Sequence, residues 1–128
     1  MTPTQYIENC LRTEPQKYLF EGTNGISPRL EHAMYGLVTE SGEFADAIKR
    51  AKIYGKTLDK VNLAEECGDI LWYMSLALQD LGLSYEEVMD VNIKKLKKRF
   101  PEKYTDENAL NRDLDAERKI LEDNTKKA

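Results

Sequence analysis

Two pairs of acidic residues carry the chemistry of this sequence. Glu40-Ser41-Gly42-Glu43 and Glu66-Cys67-Gly68-Asp69 each hold two acids three positions apart, with a glycine just before the second. Side chains at that spacing share one face of a helix. At about 100° per residue, Glu40 and Glu43 fall beside Gly36 and Ala47 on the flank of an apolar stripe, and Glu66 and Asp69 fall beside Asn62 and Tyr73 on the matching flank of another. If the two segments pack antiparallel, four carboxylates meet across one groove, where like charges raise one another's pKa and oppose folding. A divalent cation offsets that repulsion, and oxygen-only donors suit Mg²⁺, Mn²⁺ or Ca²⁺ rather than Zn²⁺.

The glycines point the same way. Gly42 and Gly68 each cost roughly 1 kcal/mol relative to Ala inside a helix, and rules broken together at matching positions are expected at functional sites more than in scaffolds. One E-x-x-E pair in a chain that is 33% charged is ordinarily a solvated helix face. Two pairs with matched glycines beside apolar stripes are harder to explain that way. A di-iron bundle needs Glu-x-x-His twice, and the only histidine is His32.

The elements that must position these acids are helical. Thr2 and Pro3 open a first helix that ends near Glu14 and Pro15, followed by a loop from Lys17 to Ser27 with a few anchoring aromatics. Ser27 and Pro28 start a long second helix with the stripe Leu30, Met34, Leu37, Ser41, Phe44 and Ile48, ending near Gly55. Asp59 caps a third, with the stripe Leu63, Cys67, Ile70, Met74, Ala77 and Leu81, ending at Gly82. Ser84 and Glu87 form a capping box for a fourth helix that Pro101 stops. Beyond it, a charged extension predicts an amphipathic helix from about Asn111 to Glu122, with Asp115–Lys119 and Arg118–Glu122 spaced for pairing and Asn124 to Ala128 frayed. The expected fold is all-α: a four-helix bundle core with a C-terminal amphipathic helix, in one domain spanning 1–128 whose helical core covers about 28–100 and whose extension covers 101–128.

Composition narrows the function. Fifteen Leu against four Val and seven Ile, with only eleven Gly and Pro, favour helix over sheet. A net charge of −4 disfavours binding to nucleic-acid polymers. No run approaches the roughly 20 apolar residues of a membrane span, and the start MTPTQYIENC lacks signal-peptide features. A cytoplasmic location is expected, with Cys10 and Cys67 as two buried small hydrophobes rather than a disulfide.

Glu40-x-x-Glu43, 22 intervening residues (44 to 65), then Glu66-x-x-Asp69, within GLVTESGEFADAIKR and LAEECGDILWYM, resemble the signature of the MazG-like all-α nucleoside triphosphate pyrophosphohydrolases, a group that includes dimeric dUTPases and dCTP pyrophosphatases. The resemblance covers roughly Leu30 to Arg99. It implies a Mg²⁺-dependent hydrolase, with Mn²⁺ a possible substitute, that cleaves a (d)NTP between the α- and β-phosphates in nucleotide-pool house-cleaning. By the same resemblance, Glu40, Glu43, Glu66 and Asp69 are the metal ligands, and Glu40 or Glu43 is the base that accepts a proton from water.

Tyr73, one turn beyond Asp69, resembles an aromatic that contacts the base or sugar, and Asn92, Lys95 and Arg99 resemble polar and basic residues that contact phosphates or sugar. Lys94 to Arg99 is also a dense basic run, whose members are ordinarily solvated. Trp72 reads as core or interface packing, His32 as a surface or packing residue, and Lys49, Arg50 and Lys52 as a solvated helix end able to steer a polyanion. The expected partners are a nucleoside triphosphate and further copies of the chain, as a homodimer or homotetramer, since similar proteins complete an open groove by pairing subunits. The competing reading is a non-catalytic helical assembly module, which would bind a protein partner without needing Mg²⁺.

Overall fold

Local capping sets most of the helix starts. The computed structural model describes residues 1–125, which fold into six helices with no strand among the described residues. The chain is all-α, and its residues cluster into two compact units, Met1–Asp80 and Leu81–Ala128.

In the first unit, α1 (Pro3–Leu11) is capped reciprocally by Thr2 and Gln5, a box the sequence reading did not include. α2 (Pro28–Tyr54) begins where Ser27 accepts from the Leu30 amide, and ends at Gly55, whose φ of 62° is the left-handed turn that favours glycine. α3 (Lys60–Leu81) follows Asp59, which accepts from the amides of Val61 and Asn62. The loop between α1 and α2 turns at Asn24 and Gly25, both at positive φ, and closes with paired bonds between Thr23 and Ile26. Trp72 donates to Thr13 Oγ1 at 2.8 Å, and Tyr6 donates to the Gly68 carbonyl at 3.3 Å, so α1 and its loop are tied to α3. Ser27 also donates to Asp80 at 2.5 Å, joining the start of α2 to the end of α3.

The buried faces differ from the expected stripes. On α2 the buried positions are Ala33 and Gly36, while Met34 and Ile48 of the expected stripe are exposed; on α3, Glu66, Ser75, Leu76 and Leu78 are buried. The helices therefore meet along the flank that carries the acids, and much of the apolar stripe lies open. Cys67 shares that exposed side, which corrects its assignment to the core; Cys10 is buried and both thiols are free.

In the second unit, α4 (Tyr85–Arg99) carries the expected Ser84–Glu87 box and stops at Phe100. A short α5 (Asp106–Leu110), absent from the sequence reading, precedes α6 (Leu114–Asn124). Glu117, 3% exposed, ties α6 to α4 by accepting two bonds from Arg99 at 2.8–2.9 Å, and Arg112 adds a 2.7 Å bond. The two guanidinium groups hold the Glu117 carboxyl far below its ordinary range. Arg118 and Glu122 pair at 2.7 Å as spaced, whereas Asp115 and Lys119 form no ion pair among the described residues. α6 runs to Asn124, so the expected fraying fails there, and residues 126–128 lie outside the described residues.

Candidate metal centre

The acids converge because α2 and α3 run antiparallel. Tyr73 lies against Gly36, Glu66 lies near Glu40 and Glu43, and Asn62 shares a pocket with Ala47 and Arg50, so position falls along α3 as it rises along α2. Gly36 is what permits the close approach at one end: a methyl added there would overlap the Tyr73 ring. Gly42 and Gly68 show no such contact among the described residues.

Glu40, Glu43 and Glu66 each offer an oxygen, and the three oxygens lie within 4.8 Å of one another. Glu66 is 4% exposed; its Oε1 accepts from Asn62 Nδ2 at 2.8 Å, and its Oε2 has no hydrogen-bond partner. A buried acceptor left without a donor is costly. Burial raises the Glu40 pKa, with further contributions from the charges of Glu43 and Asp69 and from Glu66. Such a set fits a hard divalent cation, which would give Oε2 a partner and relieve the mutual repulsion. Asp69 is exposed and stands outside the three-oxygen cluster, although its charge acts on Glu40 and on Tyr73.

The two ends of this line of acids differ in chemistry. Beyond Asp69, Tyr73 packs edge-on against Trp72 (4.9 Å between centroids) and His32 (5.4 Å), and His32 packs against Tyr18 (5.5 Å). Tyr18 donates its hydroxyl to Glu14 at 2.9 Å, which leaves His32 Nδ1 as the donor across the 3.2 Å contact to the phenol oxygen. Arg29 holds Glu14 in a two-bond fork at 2.7 and 2.9 Å. Burial and Glu14 push the Tyr18 hydroxyl up to about 12, and burial, then Glu40 and Asp69, raise that of Tyr73. His32 and Trp72 are also in edge contact with each other. The Glu14–Arg29–Tyr18 network was missed, because its members are separated in sequence and have no shared period; the aromatic content of the loop was the one available signal.

At the other end a pocket of about 370 Å³ is lined by Glu43, Asp46, Ala47, Arg50, Asn62 and Glu66. Asp46 holds Arg50 at 2.6 Å and Lys49 at 2.9 Å. Asn92, Lys95 and Arg99 belong to α4 in the second unit, spaced three and four apart along one helix face. Asn92 is exposed and Lys95 half-buried, while the Arg99 guanidinium is engaged by Glu117.

The family described as MazG nucleotide pyrophosphohydrolase domain matches residues 29–104, more than half of the chain and inclusive of both acid pairs, and the chain belongs to that family. Membership makes the protein a nucleotide pyrophosphohydrolase in general terms and fits the divalent-metal chemistry of the cluster. No curated protein and no solved structure gives a significant match. No helix among the described residues is long and apolar enough to cross a membrane.

Proposed function

We propose that this protein is a Mg²⁺-dependent nucleoside triphosphate pyrophosphohydrolase that converts (d)NTP to (d)NMP and pyrophosphate as a house-cleaning activity on the cytoplasmic nucleotide pool. The observation that carries the reading is the orphaned, buried Glu66 Oε2 inside a cluster of carboxylates, in a chain of the MazG family. Glu40, Glu43, Glu66 and Asp69 hold the ion, for which Mn²⁺ can substitute. When bound, Mg²⁺ neutralises phosphate charge and makes a coordinated water more acidic.

The chain's own residues supply the rest. A water oxygen forms a bond to the α-phosphorus, the bond from that phosphorus to the α–β bridging oxygen breaks, and pyrophosphate leaves. Glu40 or Glu43 accepts the water's proton. Tyr73 contacts the base or sugar, and Asn92, Lys95 and Arg99 contact phosphate or sugar, Arg99 in competition with its Glu117 bond. All 128 residues act as one functional domain, in a homodimer or homotetramer that covers the exposed apolar positions of α2 and α3.

The test is product analysis across canonical, deoxy and modified triphosphates, with and without Mg²⁺. Nucleoside monophosphate and pyrophosphate are expected together; neither product at high enzyme concentration would overturn the reading. Glu43→Ala and Asp69→Asn are each expected to abolish turnover with helix content retained, and activity in either removes that residue from the set.

A further inference from the structure

The pocket at the Glu43–Glu66 end of the acids has a composition that the metal ligands alone do not explain. Arg50 is its only cationic lining residue, and Asn62 lines it as an amide donor anchored on Glu66. The other end of the line of acids is aromatic, with Tyr73, Trp72 and His32 in edge contact. A triphosphate has the same polarity, since its base is flat and apolar-faced and its terminal phosphates are anionic.

We propose that this pocket seats the leaving pyrophosphate, with Arg50 as the cation that receives it, so that substrate lies with its base toward Tyr73 and its β- and γ-phosphates toward Arg50. The inference rests on the pyrophosphohydrolase reading and deepens it. Arg50 lies seven residues beyond Glu43, about 10 Å along the helix axis, which leaves room for a diphosphate between the guanidinium and the metal ligands. A fork of N–H donors matches phosphate oxygens better than an ammonium does.

Asp46 makes the position adjustable. It bridges Arg50 and Lys49, one carboxylate against two cations, in contacts open to solvent, and exposed pairs of this kind are weakly held. A phosphate oxygen can therefore take the guanidinium from Asp46 by exchanging one charge-assisted pair for another. Without a metal ion the carboxylates of Glu43, Glu66 and Asp46 repel the anion, so pyrophosphate should enter as its Mg²⁺ complex.

The experiment is titration of inorganic pyrophosphate and, separately, of a nucleoside monophosphate into the full-length protein with Mg²⁺, for wild type, Arg50→Gln and Asp46→Asn. Arg50→Gln should weaken pyrophosphate binding by about tenfold or more and leave monophosphate binding unchanged. Asp46→Asn, which releases Arg50, should tighten it. A purely structural role for the Asp46–Arg50 pair predicts the same direction for both variants. Unchanged pyrophosphate affinity in Arg50→Gln, equal loss of both products, or weakening in Asp46→Asn overturns the assignment. Turnover of wild type is measured alongside: an active wild type with an indifferent Arg50→Gln refutes this inference alone, whereas a wild type with no turnover and no Mg²⁺-dependent pyrophosphate binding refutes the function it rests on.

Discussion

Glu66 has one carboxylate oxygen satisfied by Asn62 and the other buried without a donor, the state expected of a group held ready for a cation. Its orientation depends on the Asn62 amide one turn earlier on α3. Hydrogen bonds behind a metal ligand commonly govern affinity by about 10–100-fold, so Asn62→Ala should weaken Mn²⁺ or Mg²⁺ binding by that order, read by calorimetry. An unchanged affinity would mean that packing alone orients Glu66. The same crowding predicts a reversal in stability. In chelator, Glu43→Gln removes one of three mutually repelling carboxylates and should raise the melting temperature; in saturating Mg²⁺, wild type should melt higher, because only it gains the full binding energy. Melting of the variant below wild type in both conditions would show that repulsion is not what the ion relieves.

At the level of elements, the Tyr73 ring of α3 lies over Gly36 of α2 where a side chain would not fit. Gly36→Ala should destabilise the first unit by about 1–3 kcal/mol, the range for overpacking, and the cost should largely vanish in a Tyr73→Ala background, as a double-mutant cycle by denaturant unfolding would show. In the second unit, Glu117 gives α4 and α6 a pH dependence. Its folded pKa lies below the ordinary 4.5, so its contribution is full above that value and is lost as pH falls through it toward the folded pKa. Thermal melts should show an acid-side decline beginning near that value, and Glu117→Gln should flatten it. These elements also show what sequence could and could not disclose. Thr2, Ser27, Ser84 and Gly55 act within a few residues of themselves, so helix limits were readable, as was the shared face of the acid pairs. The packing face was not: periodicity locates a stripe such as Leu30, Met34, Leu37 but is silent on what covers it, and small Ala33 and Gly36 proved to be buried instead. α5 is too short to have a period, and Glu117 finds Arg99 across 18 positions without leaving a pattern. For the site, spacing disclosed the acids, while the Asn62 bond and the Arg50 pocket needed coordinates.

For the molecule as a whole, the acidic balance of the sequence becomes consistent with a phosphate-bearing substrate once its charges are placed. The net charge of −4 includes the four acids proposed to hold a cation, and a protein that met phosphate through such a cation would need no basic excess. Apolar surface is the larger question. Met34, Tyr35 and Val38 on α2 and Val61 and Leu71 on α3 are exposed, and Met34 also borders an apolar groove of about 350 Å³ with Ile26, Leu30, Leu37 and Ala77. Exposed apolar surface of this kind marks association sites, and a second copy of the chain is the occupant expected here. Sedimentation at micromolar concentration should give a dimer or tetramer, and a monomer would contradict it. Val38 is 69% exposed, so within one chain Val38→Glu should shift stability by no more than about 0.5 kcal/mol. In the oligomer it would bury a charge against apolar neighbours. The variant should therefore sediment at lower mass than wild type while its helix content is unchanged; a Val38→Glu protein with wild-type mass places the interface elsewhere on the chain.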